Sequence, residues 1–227
     1  MAPLFTGLRL GFGRGESAAT GLVYPQIGAP YQGGFFAGFI SHTANSVATH
    51  ALIVAPAATG ASGTGYTITT NLQAKTTNNG TSGTDSDYDG AANSSNMNNA
   101  SHPAAEFCEN LSIGGYTDWY LPARYELEIA YYNLKPTTDS NNTSWYINPY
   151  SVPARGSNYT SGNPAQTTVT LFKTGNSEAF VAAGHWTSTQ DYRLIYQWYS
   201  YFNDGLGGQD NKTEPGYRTR AFRKVAL

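Results

Sequence analysis

The side chains that could perform chemistry are few and widely separated in this chain of 227 residues. Histidine occurs four times, without the H-x-x-x-H spacing that places two metal ligands on one helix face. Serine, histidine and aspartate are all present, but no Gly-x-Ser-x-Gly elbow accompanies them. We therefore predict neither a metal centre nor a nucleophilic triad. The four histidines are His42, His50, His102 and His185.

Two carboxylates follow each other closely on a predicted helix, at Glu126 and Glu128. Residues two apart on a helix point in different directions, so these side chains make a poor acid–base pair. The single cysteine, Cys108, excludes an internal disulfide framework. Because it lies on the apolar side of a predicted helix, we interpret it as a buried structural thiol. The sequence predicts no catalytic residue and no cofactor.

An aspartate run from Asp85 to Gly90 imitates the beginning of a calcium-binding loop. The twelfth position, which carries an acidic ligand in such loops, is Asn96. We therefore predict a solvated or locally hydrogen-bonded turn rather than a metal site.

Composition favours a binding protein with short strands and long polar loops. Charged residues make up 12% of the chain and aromatic residues 14%, with seventeen tyrosines. Tyrosine supplies contact area at recognition surfaces, while serine, glycine and asparagine supply adaptable hydrogen bonds. Because the net charge is −2 and there is no basic run, we expect no nucleic-acid partner. No apolar run reaches the roughly 20 residues of a membrane span, so we expect no membrane insertion. The first residues lack the apolar stretch of a secretory signal, which indicates synthesis in the cytoplasm.

Several elements follow from periodicity. The stretches GGFFAGFIS and HALIVAP predict two strands joined by a polar loop over residues 43–49. Residues 57–100 form a polar tract in which Tyr66, Ile68 and Leu72 suggest one short strand. Ser101 is predicted to cap a helix that Gly114 or Gly115 ends. The predicted buried stripe of that helix is Ala104, Phe107, Cys108 and Leu111.

Two further regions have no regular spacing of apolar residues. Residues 1–27 are rich in glycine, and we interpret them as an arm for attachment or assembly, the alternative being a flexible tail. Residues 135–184 are broken by prolines and predict a long irregular insert. Its aromatic side chains are Trp145, Tyr146, Tyr150 and Tyr159.

The C-terminal segment contains a strand, YQWYSYFNDG, that alternates cleanly. Trp198, Ser200 and Phe202 fall on one side, and we predict that Trp198 and Phe202 are core. Tyr199, Tyr201 and Asn203 fall on the other side. Contiguous exposed aromatic side chains tend to mark a binding surface. A turn at residues 205–208 and a closing strand, TRAFRKV, complete the chain.

The segment at residues 114–134, GGYTDWYLPARYELEIAYYNL, resembles a known family. A turn, then Asp-Trp-x-Leu-Pro-x-x-x-Glu-Leu and a helix, is similar to the second helix of C-type-lectin-like domains. Leu127, Ala130, Tyr131 and Leu134 supply the buried face of that helix. The branch that it resembles contains formylglycine-generating enzymes, retroelement-diversified phage tropism determinants and the C-terminal domain of collagen-like adhesins. Trp186-Thr187-Ser188-Thr189 resembles a Tyr-Trp-Ser-Ser-Thr element of the same branch.

One departure from the family pattern is Ala123, where relatives often place serine or threonine in a capping box. Loss of that cap costs about 1 kcal/mol of local stability. The enzymes of the branch use a cysteine pair with copper, or histidine clusters with iron. The single Cys108 lies on the wrong helix for the former, so the resemblance implies no enzymatic activity here.

The resemblance implies an α+β fold, with two short helices on small antiparallel sheets and long irregular loops, over residues 28–227. In the diversified relatives the variable contact positions occupy the C-terminal segment. When those positions are transferred to this sequence, the resemblance implies a set of candidate ligand-binding residues. They are Asp191, Tyr192, Arg193, Leu194, Ile195, Tyr199, Tyr201, Asn203, Leu206, Gln209 and Asp210. The stretch QDYRLIY also mixes side-chain types without a structural period, which a contact surface tolerates. The alternative is that Tyr192, Leu194, Ile195 and Tyr196 cover the sheet edge.

The resemblance therefore implies a phage tail receptor-binding protein in the virion, open to diversification by a retroelement. Its partners would be a host cell-surface receptor, protein or glycan, and other tail proteins through the N-terminal arm. A homotrimer is expected because weak single faces gain from multivalency. The alternatives are a bacterial surface adhesin domain that binds glycans and a structural virion subunit without receptor contact.

Overall fold

A computed structural model describes residues 24–144 and 146–227, so the greater part of the predicted arm and Trp145 lie outside the described residues. The fold is α+β, as predicted, with few helices and antiparallel sheets. The helices are α1 (Ala57–Gly60), α2 (Gly90–Ser95), α3 (Pro103–Glu109) and α4 (Arg124–Leu134), with a 3-10 turn at Thr170–Phe172. The strands are β1 (Pro30–Tyr31), β2 (Gly34–Ile40), β3 (His50–Val54), β4 (Ala61–Ser62), β5 (Ser151–Val152), β6 (Gly184–Gln190), β7 (Tyr196–Tyr201), β8 (Gly207–Asn211), β9 (Thr219–Arg220) and β10 (Phe222–Ala226).

One sheet, called the base sheet below, has the order β1-β2-β3-β10. Strand β5 pairs with the end of β2 at Phe39 and Ile40. The predicted hairpin is confirmed, since β2 and β3 pair antiparallel from Phe35 opposite Val54 to Ile40 opposite His50. Strand β10 then pairs with β3 and brings the C-terminal end of the chain beside the hairpin. Leu52 and Val54 contact one apolar cluster and Ile53 contacts another, so this sheet is buried on both faces.

Helix α4 forms where the apolar spacing predicts it. Leu127, Ala130, Tyr131 and Leu134 are all fully buried against β2 and its neighbours. Ala123 precedes the helix and has no side chain that can cap it. Glu126 nevertheless accepts a hydrogen bond from the Ala123 N–H at 2.8 Å, so half of the capping arrangement is retained.

The bounds predicted for helix α3 are wrong at both ends. The residue before the helix is His102 rather than Ser101, and Pro103 occupies the first turn. The helix ends at Glu109, well before Gly114 and Gly115, which form a later turn with positive φ. Cys108 is fully buried, as predicted, and burial raises the pKa of its thiol.

The polar tract at residues 57–100 contains helices that the sequence did not indicate. Asp89 caps α2 by accepting from the Ala92 N–H at 3.0 Å, and it also accepts from Lys224 Nζ at 2.5 Å. The aspartate run is thus a hydrogen-bonded turn. The strand predicted at Tyr66, Ile68 and Leu72 reduces to one bridge between Ile68 and Ser62.

Above the base lies the three-stranded sheet β6-β7-β8. Every residue of β6 is buried, including Trp186, and the Ser188 N–H bonds to the Pro122 carbonyl before α4. This sheet is therefore fixed to the helix layer. Within the described residues, no helix has the length and apolar character required to cross a membrane.

Candidate binding surface at the β6–β7 turn

The apical turn, residues 191–195, joins β6 to β7 and presents large apolar side chains to solvent. Tyr192 is 87% exposed, Leu194 51% and Ile195 38%. These are three of the predicted ligand-binding residues, and a fourth, Arg193, is exposed between them. Large apolar side chains grouped on one exposed turn are typical of a contact surface.

Asp191 belongs to the turn but is buried, so its role is to stabilise the turn and not to contact a ligand. Its carboxylate accepts from the Arg193 N–H at 3.1 Å and from Arg193 Nε at 2.5 Å. Its carbonyl accepts from the Leu194 N–H at 2.9 Å, and its own N–H donates to the Tyr196 carbonyl at 3.1 Å. These bonds fix the shape of the turn without a ligand.

Leu194 has a backbone φ of +65°, in the left-handed region that residues with a side chain avoid. The conformation costs about 1–2 kcal/mol for a residue other than glycine. Strain of this kind persists where the surrounding structure imposes it, and it is concentrated at functional sites. In this turn the strained backbone places the Leu194 side chain half in solvent.

Arg193 links the turn to the sheet. Its guanidinium lies 4.4 Å from the centre of the Tyr196 ring and 5.4 Å from that of Tyr192, distances typical of cation–π contacts. It also donates to Gln209 on β8 at 3.3 Å. Gln209, another predicted contact residue, is therefore joined to the turn.

The polar loop at residues 76–83 borders the turn. Gly80 lies against Leu194, because a Cβ added to Gly80 would lie 3.4 Å from the Leu194 Cβ. Lys75 Nζ donates to the Gly80 carbonyl at 2.9 Å, and Lys212 Nζ donates to the Asn79 carbonyl at 3.1 Å. Burial lowers the pKa of Lys212 to about 8. The two buried ammonium groups hold this loop beside the turn.

A groove of about 220 Å³ opens on the Trp198 face of β7. The Arg124 guanidinium lies 4.4 Å from the centre of the Trp198 ring and forms an ion pair with Asp87 at 2.9 Å. Trp198 is only half-buried, so its assignment to the core is wrong, whereas that of Phe202 is confirmed. The groove is lined by Arg124, Tyr125, Ser144, Tyr146, Ile147, Asn158 and Trp198.

Tyr199 and Tyr201, predicted as exposed, are half-buried because Tyr217 covers them. The Tyr199 and Tyr217 rings stack at 4.4 Å with 18° between their planes, and the Tyr201 ring lies 5.3 Å from that of Tyr199. The Tyr217 hydroxyl donates to Asp210 at 2.9 Å, and Tyr217 packs on the buried Trp186. Tyr199, Tyr201 and Tyr217 are called the tyrosine cluster below.

Asn203 and Leu206 lie at the other end of β7 from the apical turn. They belong to the β7–β8 connection, where the Tyr201 N–H bonds to the Leu206 carbonyl at 2.8 Å. At about 3.3 Å per residue, β7 separates the two turns by roughly 17 Å. The predicted site residues therefore do not form one patch, and among them only Tyr192, Arg193, Leu194 and Ile195 are strongly exposed.

The buried carboxylates of helix α4 are used inside the fold. Burial raises the pKa of Glu126 to about 7, and the carboxylate accepts from the Tyr120 hydroxyl at 2.9 Å and from the Gly90 N–H at 3.1 Å. Glu128 accepts from Arg155, Asn148 and Tyr159. The two carboxylates thus have separate partners, which agrees with the prediction that they point in different directions.

Burial lowers the pKa of His185 to about 3. Its neutral ring donates from Nδ1 to the Ala183 carbonyl at 3.0 Å and accepts at Nε2 from the Tyr66 hydroxyl at 2.7 Å. In residues 24–144 and 146–227, no group of three His, Cys, Asp or Glu side chains is arranged to hold a metal ion.

The sequence did not identify Arg124, Tyr125 and Tyr146 as residues of a site, although all three line the groove beside Trp198. Arg124 and Tyr125 lie on the first turn of a helix whose period indicates only its buried face, and Tyr146 lies in the insert that has no period. Comparison with protein-family models, with curated proteins and with solved structures found no match.

Proposed function

We propose that the chain is the receptor-binding subunit of a phage tail, built on a C-type-lectin-like domain. It recognises a host cell-surface ligand through the apical turn, and its mechanism is recognition without catalysis. The observation that carries this proposal is the exposure of Tyr192, Leu194 and Ile195 on a turn that is already ordered by Asp191. A recognition surface gains affinity when its conformation is fixed before binding.

The scaffold beneath the turn supports the same function. Strand β6 is buried along its length, and the base sheet is buried on both faces. A rigid base under adaptable surface side chains allows the contact residues to change without loss of the fold. This arrangement agrees with the resemblance to domains whose C-terminal segment is diversified.

The remaining parts of the proposal concern assembly. The N-terminal arm attaches the domain to other tail proteins, and a homotrimer increases avidity by presenting three turns to one cell surface. The described chain begins at Tyr24, whose ring lies 5.0 Å from that of Phe39 on the base sheet. Tyr24, the first described residue of the predicted arm, thus lies at the base sheet.

Phage particles that carry Tyr192→Ser and Ile195→Ser test the proposal. Both side chains are exposed, so we expect intact particles by electron microscopy and a loss of adsorption to the host. The matched control is Val47→Ser, which removes another exposed apolar side chain (59% exposed) from the β2–β3 connection and should leave adsorption unchanged. Normal adsorption of the double variant would contradict the proposal, and failed assembly would favour the structural subunit.

A further inference from the structure

The apical turn has an apolar centre and a polar border. The centre is formed by Tyr192, Leu194 and Ile195. The border is the exposed loop at residues 76–83, TTNNGTSG, which lies against Leu194 through Gly80. An apolar centre surrounded by polar residues is the anatomy of a protein–protein interface, in which a few central side chains supply most of the affinity.

On the basis of the proposed function, we infer that the receptor is a protein and that the apical turn inserts Tyr192, Leu194 and Ile195 into an apolar cleft on it. The turn exposes these three side chains to solvent, so the complementary surface of the partner is one that receives them in a cleft. Three side chains bury only part of the roughly 800 Å² that each partner contributes to a stable interface. The loop at residues 76–83 supplies the adjoining area.

The polar groups of the turn argue against a glycan as the ligand at this point. Sugar hydroxyls require several hydrogen-bonding groups that converge in a concave site. On the turn, the N–H groups of Arg193, Leu194 and Ile195 donate within the protein. The Arg193 side chain is likewise held by Asp191 and Gln209. The side chains that the turn leaves exposed for contact, Tyr192, Leu194 and Ile195, are predominantly apolar.

The charges argue against a lipid surface. Attachment to anionic membranes combines apolar side chains with exposed lysine and arginine. Arg193 is paired with Asp191, while Lys75 and Lys212 are buried and donate to the loop that borders the turn. Lys75 and Lys212 are thus directed into the protein, and the exposed Arg193 is a single cation whose charge Asp191 balances. The turn therefore has apolar side chains without the basic surround that a membrane-binding segment uses.

The experiment measures labelling of bacterial strains by the purified, fluorescently tagged full-length chain. On a strain that the chain labels, we expect proteinase K treatment of the cells to abolish labelling and periodate oxidation of their glycans to leave it unchanged. Vesicles of phosphatidylethanolamine and phosphatidylglycerol should not bind the chain. Tyr192→Ser/Ile195→Ser should weaken labelling of untreated cells by about tenfold or more, the loss expected of central interface residues, and Val47→Ser should not.

Each contrary outcome has a distinct meaning. Labelling that survives proteinase K, is lost with periodate, or is reproduced on vesicles would overturn the inference and leave the proposed function standing. A change in oligomeric mass of the double variant, measured by light scattering, would also overturn it, because the turn would then join copies of this chain. A chain that labels no strain in a panel that includes the phage host would contradict the proposed function, and the inference would fall with it.

Discussion

The apical turn and the tyrosine cluster belong to the same β6-β7-β8 sheet, yet they relate to solvent in opposite ways. Tyr192 in the turn is 87% exposed, while Tyr217 in the cluster is 8% exposed and covers Tyr199 and Tyr201. The turn is strained at Leu194 and ordered by hydrogen bonds to its own backbone. The cluster is ordered by ring packing on Trp186. Aromatic content alone therefore does not distinguish a contact surface from a packed one.

The comparison predicts that the cluster matters for stability and the turn for binding. The largest expected effect is that of Tyr217→Ala, which removes a ring packed on Trp186 and Tyr199. Truncation of a buried aromatic side chain costs about 3–5 kcal/mol. Urea denaturation should show that loss in the free energy of unfolding, with binding by the remaining folded protein retained.

Tyr217→Phe is the matched control because it keeps the ring and removes the hydroxyl that donates to Asp210. A loss of about 1 kcal/mol is expected for that change. If Tyr217→Ala were no more destabilising than Tyr217→Phe, the ring packing would contribute little and the contrast with the turn would fail.

A second prediction concerns alkaline pH. Burial, and then the hydrogen bond to Asp210, raise the pKa of Tyr217 above its ordinary value of 10. A raised pKa means that the folded state holds the proton more tightly, so this contribution to stability is complete below pH 10 and is lost as the pH rises further. For one such tyrosine, the free energy of unfolding falls by about 1.4 kcal/mol per pH unit in that range.

The free energy of unfolding of the wild-type protein should therefore fall more steeply above pH 10 than that of Tyr217→Phe. Denaturant titrations at several pH values measure both slopes. Equal slopes would show that Tyr217 ionises as readily in the folded protein as in the unfolded chain.

The smallest expected change in stability is that of Leu194→Gly. Glycine adopts a positive φ without strain, but it also increases the entropy of the unfolded chain, so the net gain should be about 0.5 kcal/mol. The same change removes an apolar contact and should weaken binding to host cells. Thermal denaturation and cell labelling together test this, and a variant that loses stability would show that the contact of the Leu194 side chain with Gly80 outweighs the strain that glycine relieves.

Periodicity was sufficient for some elements and could not reveal others. The β2–β3 hairpin consists of two apolar runs joined by a polar loop, and helix α4 repeats apolar residues at three- and four-residue spacing, so both elements could be predicted. Helix α2, GAANSS, has no apolar period because its buried side chains are polar. Asn93 is buried through hydrogen bonds to Ser188 at 3.2 Å and to the Ser86 carbonyl at 2.7 Å, partners that only the folded chain supplies.

The candidate site shows the same limit. Alternation along β7 correctly separates Trp198 from Tyr199, but it does not specify which face is covered. The cover on the tyrosine face is Tyr217, which follows β8, and the partner of Trp198 is Arg124 on another element. Both are tertiary contacts. The contact role predicted for the apical turn rests on its mixture of side-chain types, and Asp191 shows the limit of that reasoning, because this residue is buried and bonds to Arg193.

One binding assay compares the apical turn with the tyrosine cluster. Tyr192→Ser/Ile195→Ser and Tyr199→Leu/Tyr201→Leu are measured for equilibrium binding to host cells, with circular dichroism to verify folding. We expect the turn variant to lose about tenfold or more in affinity, as central interface residues do, and the cluster variant to bind within about threefold of the wild type. A folded cluster variant that loses binding while the turn variant retains it would contradict the account.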